Sequence, residues 1–184
     1  MKKIILLLAI FTFTIQAKAQ KINWVSLNEA LELQKENPKK IIMDVYTNWC
    51  GPCKLLDKNT FQNKDVATFI NENYYAVKFN GEGKEEITFA GTTYGNPNYD
   101  ETKANKRNSA HEFASFMGIS AYPTIVFMND EGSLIMPLRG YQTPNQLELY
   151  LKLFKDDTYK SITTKEKFDA YNDSFVPEFK VVKN

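Results

Sequence analysis

The chain has 184 residues, 43% hydrophobic and 14% aromatic, one domain's worth of sequence with a core large enough to need no disulfide scaffold. Its 23 Lys and Arg against 22 Asp and Glu give a formal charge of +1, without the basic excess of a nucleic-acid binder. Two cysteines and one histidine are too few to favour a tetrahedral zinc site, so no metal or other cofactor is expected.

Residues 1–19 read as an export signal. Lys2 and Lys3 precede an apolar run from Ile4 to Ile15, and Ala17-Lys18-Ala19 is a small-x-small cleavage site. The run is 12 residues long, short of the roughly 20 that span a bilayer, so cleavage before Gln20 and a soluble mature chain are expected. Losing Lys2, Lys3 and Lys18 leaves 20 basic against 22 acidic residues, a formal charge of −2.

Ser26-Leu27-Asn28-Glu29 has the form of a capping box, with Val25 and Ala30 as a hydrophobic staple, and predicts a helix over 27–35 that Asn37-Pro38 ends. The apolar run from Ile41 predicts a buried strand, and Gly51-Pro52 marks its hand-over to a helix that Cys50 and Cys53 open. Val66, Phe69 and Ile70 predict a helix over 65–71, followed by a strand over 74–79; this βα alternation implies largely parallel pairing.

Residues 80–107 are rich in Gly, Asn, Thr and Lys and predict a small hairpin, Ile87–Phe89 with Thr92–Tyr94 about Ala90-Gly91, then a turn at Gly95–Asn98. The segment reads either as an irregular loop without function or as a partner-binding stretch with Tyr94 and Tyr99 as contacts. A helix is expected over 108–117 with Phe113, Phe116 and Met117 inward and Gly118 as its stop. His111 on it is expected at the surface or half-buried, with no catalytic part. Thr124–Met128 predicts a buried strand, turning through 129–132 into an antiparallel strand over 133–138. Thr143-Pro144-Asn145-Gln146 is a second capping box, opening an amphipathic helix with Leu147, Tyr150, Leu151 and Phe154. Residues 156–184 predict a short helix over 165–171, capped by Thr163 with Glu166, and a tail with Pro177; no chemistry is read there.

The two cysteines carry the chemistry. At a helix start, unpaired amides and a partial positive charge favour a thiolate, so Cys50 is expected to be the exposed attacker and Cys53, one turn further in, the resolving thiol. A fixed structural bridge and a metal half-site are the alternatives, although a bridge across two residues closes too small a loop to stabilise much. Asp44 lies six residues before Cys50 on an apolar strand, where it either faces outward or is functional; burial would raise its pKa toward that of a useful base. Lys78 by itself reads as an ordinary strand-edge cation.

Asp44, Trp49-Cys50-Gly51-Pro52-Cys53-Lys54 and Ala121-Tyr122-Pro123-Thr124 resemble the thioredoxin superfamily over about residues 24–154, and residues 53–80 are also similar to the C-terminal domains of periplasmic thiol-disulfide interchange proteins. The resemblance implies an α/β thioredoxin-like fold over 20–155, a central mixed sheet flanked by helices, with 80–107 inserted before the cis-proline helix. It implies that Asp44 sits beneath the cysteine pair and assists proton transfer to Cys53, with Lys78 nearby. Pro123 matches the cis-proline, whose preceding residue, Tyr122, offers backbone to a substrate chain. Trp49, Gly51, Pro52 and Gly140 would complete the substrate groove, core packing being the other reading for Trp49, Tyr122 and Gly140. The implied protein is an exported, periplasmic, monomeric thiol-disulfide oxidoreductase. It acts on protein thiols and disulfides through a redox-active Cys50–Cys53 disulfide, leans toward reduction because of Gly51-Pro52, and is supplied by a membrane thiol-disulfide electron donor. A disulfide isomerase or oxidant, and a non-catalytic peptide-binding module, are the alternatives.

Overall fold

The computed structural model describes residues 21–180, so the export signal expected over 1–19 lies outside the described residues. A five-stranded sheet holds β1 (Trp24–Val25), β2 (Ile41–Tyr46), β3 (Tyr75–Asn80), β6 (Thr124–Met128) and β7 (Leu134–Arg139) in the order β1-β3-β2-β6-β7. β1, β3 and β2 run parallel, and β6 and β7 are antiparallel to their neighbours. Pro137 sits on the edge strand β7, where a missing N–H is tolerated.

Side-chain alternation along the strands divides the core. Ile42, Ala76, Ile125 and Phe127 face helices α2 (Gly51–Leu56), α3 (Lys64–Asn73) and α5 (Pro144–Lys155) through Leu56, Val66, Ile70, Leu147 and Leu151. Ile41, Met43, Val77, Phe79 and Val126 face α1 (Leu27–Glu36) and α4 (Glu112–Phe116). α1 and α5 start as their sequences specify. Ser26 Oγ accepts the Glu29 N–H, and Thr143 and Gln146 form a reciprocal capping box.

β4 (Ile87–Phe89) and β5 (Thr92–Tyr94) form the expected hairpin, with Ala90 and Gly91 both at positive φ in the turn. Three expectations are corrected here. The fourth helix starts at Glu112, not Asn108, because the N–H groups of Asn108, His111 and Glu112 bond to Glu82, Gly81 and Gly95 of the inserted segment. Phe116 is 56% exposed, stacked on Phe113 beside Phe89 and Tyr94 at the edge of an aromatic cluster, and does not point inward. His111 is fully buried. Its Nδ1 accepts the Phe113 N–H at 3.0 Å, which makes Nε2 the protonated nitrogen that donates to the Glu85 carbonyl at 2.7 Å. The histidine thus caps α4 and ties it to the insertion.

α6 (Lys165–Ser174) is capped by Thr164, one residue later than expected, since it is the Thr164 hydroxyl that accepts the Lys167 N–H. Tyr159, Ile162, Phe168, Tyr171 and Phe179 of the extension pack against the core on the α3–α5 side. No helix among the described residues is long and apolar enough to cross a membrane.

Candidate active site

β2 ends at Tyr46, and a tight turn in which the Cys50 N–H bonds to the Thr47 carbonyl delivers the chain to α2. Cys50 is the N-cap of that helix and Pro52 lies in its first turn, where a missing N–H costs nothing. Cys50 and Cys53 are joined in a disulfide, and the Cys53 N–H points at Cys50 Sγ from 3.1 Å. An amide so placed favours negative charge on that sulfur once the bond is reduced. The expectation of an exposed Cys50 is corrected: it is 2% exposed, its sulfur drawn back over the first turn onto Cys53, while Gly51 and Pro52 are the exposed residues.

Beneath the pair, the β2–β3 register sets Asp44 directly across from Lys78. Asp44 is 1% exposed; its Oδ2 lies 3.7 Å from Lys78 Nζ, and its Oδ1 has no hydrogen-bond partner. Burial above all pushes the Asp44 carboxyl up to about 7; the charge of Lys78 opposes this and that of Asp57 adds to it. Lys78 sits closer to Asp57 Oδ1, at 2.5 Å, with the Trp24 and Tyr46 rings 5.1 and 5.5 Å away. A cleft of about 290 Å³ between these groups is lined by Asp44, Thr47, Cys53, Lys54, Asp57 and Lys78, and so connects the buried carboxyl, the second cysteine and the surface. Asp57 was not singled out in the sequence, although its position four residues after Cys53 places it on the same helical face.

The other side of the disulfide is a lip. The Tyr122–Pro123 peptide is cis, and the Gly140 N–H donates to the Pro123 carbonyl at 2.8 Å. The Trp49 and Tyr122 rings meet edge to face with centroids 6.2 Å apart. Both are held by the inserted segment. Buried Glu82 accepts the Trp49 indole N–H at 2.7 Å and the Asn108 N–H at 2.8 Å through one oxygen, and the Tyr122 hydroxyl donates to the Gly81 carbonyl at 3.1 Å. The Arg107 guanidinium lies 4.9 Å from the centre of the Trp49 ring. Burial, helped by Glu82 and opposed by Arg107, pushes the Tyr122 phenol up to about 12, so it donates at neutral pH.

The insertion is therefore a buttress for Trp49 and Tyr122, which corrects the reading of it as an irregular loop. Tyr94, a contact only in the partner-binding reading of the segment, has its ring 5.4 Å from Phe113 and 5.2 Å from Phe116. Glu82 and Arg107 were missed, because the only local sign was one acidic residue between Gly81 and Gly83.

Among known proteins, a family model described as a thioredoxin-like domain matches residues 27–155. A thioredoxin of Mycoplasmoides gallisepticum is 27% identical over 117 residues, 62% of this chain and 83% of that protein. An uncharacterised Caenorhabditis elegans protein is 28% identical over 76 residues, 41% of this chain, a match that spans only 10% of the worm protein's length. A thioredoxin-fold protein from Helicobacter pylori superposes with a TM-score of 0.58 at 20% identity, covering 85% of this chain and 87% of that one. A Bacteroides thetaiotaomicron protein described as a candidate disulphide-isomerase has a TM-score of 0.50 at 27% identity over 74% of this chain and 95% of its own.

Proposed function

The chain belongs to the thioredoxin-like domain family, and on that premise we propose that it is a thiol-disulfide oxidoreductase acting on protein substrates through Cys50 and Cys53. The observation that carries the reading is a disulfide capping a helix above a cleft in which a buried carboxyl, pushed up to about 7, shares the walls with the second cysteine. A structural cross-link would need no such group.

In the reducing direction the Cys50 thiolate attacks a substrate disulfide, displacing one substrate sulfur as a thiolate and forming a mixed disulfide. Cys53 gives its proton to Asp44 and attacks Cys50. The Cys50–Cys53 bond forms, the mixed disulfide breaks, and the second substrate sulfur leaves with the electron pair to be protonated by water. The substrate is reduced and the pair oxidised; run backward, the same steps oxidise a dithiol. Trp49, Tyr122, Pro123 and Gly140 form the lip on which an extended substrate segment lies. Gly51-Pro52 favours the reducing direction. The protein is exported to the periplasm after loss of residues 1–19, acts as a monomer, and is recharged by a membrane dithiol donor.

Equilibration in graded thiol–disulfide buffers tests this. A potential near the thioredoxin value of about −270 mV is expected, and one close to about −120 mV would replace the reductase with an oxidant or isomerase. The isomerase reading draws on the description of the Bacteroides relative. A Cys53→Ser variant is expected to accumulate a mixed disulfide with substrate and Cys50→Ser to form none; a pair that never exchanges would leave a peptide-binding module.

A further inference from the structure

The Asp44–Lys78 pair is incomplete in a specific way. Asp44 Oδ1 is buried and unpartnered, and the Lys78 ammonium stands 3.7 Å from Oδ2, beyond hydrogen-bond range. That cation is engaged elsewhere: Lys78 Nζ donates to Asp57 Oδ1 at 2.5 Å.

Asp57 is itself held from two sides. It opens a π-helical turn, Asp57–Phe61, in which the Gln62 N–H reaches the Asp57 carbonyl at 3.0 Å, and the Gln62 side chain donates to Asp57 Oδ2 at 2.9 Å. Each carboxylate oxygen thus has one donor. Burial works against its charge, but the hydrogen bonds from Lys78 and Gln62 and the charge of Lys78 hold Asp57 below the usual carboxylate range. The Trp24 and Tyr46 rings also lie against the ammonium. Trp24 is fixed in turn by Phe61 at the end of the same π-turn, with centroids 5.1 Å apart.

We infer that Asp57 is a positioning residue: anchored by the π-turn, it draws the Lys78 ammonium to the mouth of the cleft and away from Asp44, leaving the buried carboxyl free to exchange a proton with Cys53. This rests on the oxidoreductase reading only for its purpose. The geometry itself makes a prediction about Asp44 that needs no substrate. A carboxylate paired closely with an ammonium would be too weak a base to take the Cys53 proton, and one with no cation nearby would not release it again.

The groups facing Asp44 are few. β3 contributes Lys78, the cysteine helix contributes Asp57 and Cys53, with Lys54 on the cleft wall, and β2 itself contributes Tyr46, whose phenol is pushed up, chiefly by burial, and stays neutral. β6 offers only Ile125 opposite Asp44.

The test is the titration of the Asp44 carboxyl carbon by NMR in the full, oxidised chain, in which thiol chemistry plays no part. Asp57→Asn is expected to lower the Asp44 midpoint by about one pH unit, because Lys78 is released toward it. Gln62→Ala, which frees Asp57 without changing its charge, moves it the same way by less, and Asp57→Glu restores the original value. In a Lys78→Met background only the direct charge of Asp57 still acts on Asp44, so Asp57→Asn is expected to move the midpoint by less than half as much. An unchanged midpoint in Asp57→Asn, or an equal shift in both backgrounds, overturns the inference. A parent chain whose cysteine pair never exchanges, with these shifts intact, would instead remove the functional reading and leave the positioning role standing.

Discussion

Burying Asp44 links the stability of the chain to pH. Its folded-state pKa, about 7, lies above the ordinary carboxylate value of 3.8, so between these limits the folded chain holds a proton that the unfolded chain has released. The favourable contribution is therefore complete below about pH 4 and is lost as pH rises through 7, amounting to about 4 kcal/mol at most. Asp44→Asn removes this dependence. Denaturant unfolding of the oxidised protein should show the variant gaining on the parent between pH 4 and pH 8, with the difference flat above 8; a constant difference across that range would contradict the burial argument. Asp44 was legible in the sequence because a carboxylate on an apolar strand stands out. His111 was misjudged because its satisfaction depends on the Glu85 carbonyl, 26 residues away, and no local pattern announces that contact.

Among the elements, the insertion holds the lip of Trp49 and Tyr122 in place. Glu82→Leu leaves the Trp49 indole and the Asn108 amide without their acceptor, and is expected to cost about 1–3 kcal/mol in unfolding free energy. With Trp24→Phe in the background, the fluorescence of Trp49 should also shift as its ring loosens. A Cβ at Gly81 would lie 2.6 Å from Tyr122 Cε1, so Gly81→Ala must swing the phenol ring and break its bond to the Gly81 carbonyl. Exchange with a small dithiol should continue in that variant while reduction of a protein substrate slows, which paired rate measurements would show. The hairpin was readable because Ala90-Gly91 between β-rich triplets specifies its own turn. The late start of α4 was not, since helical spacing from Asn108 onward cannot reveal that three of its amides are committed to the insertion.

At the scale of the whole molecule, the C-terminal extension closes over the α3–α5 face. Glu148, fully buried on α5, accepts the backbone N–H groups of Glu178 and Phe179 at 2.9–3.0 Å and the Lys152 ammonium at 2.7 Å, while Asp65 and Asn63 bond the backbone of Lys180. Glu148→Gln is expected to lose about 1.5–3 kcal/mol of stability and to speed hydrogen exchange at the Glu178 and Phe179 amides, with the reduction potential unmoved. The sequence showed that α5 is amphipathic but not why it carries a carboxylate on its buried side, because the backbone amides that Glu148 holds lie 30 and 31 residues further on. The sheet also keeps the cleft and the aromatic lip apart. Asp44 and Lys78 open on the face covered by α2, α3 and α5, whereas Tyr122 and the insertion belong to the opposite layer. On the proposed reading, a protein docked across the lip would leave the cleft open to water, so electrons would cross at the front door while the proton came and went by the back.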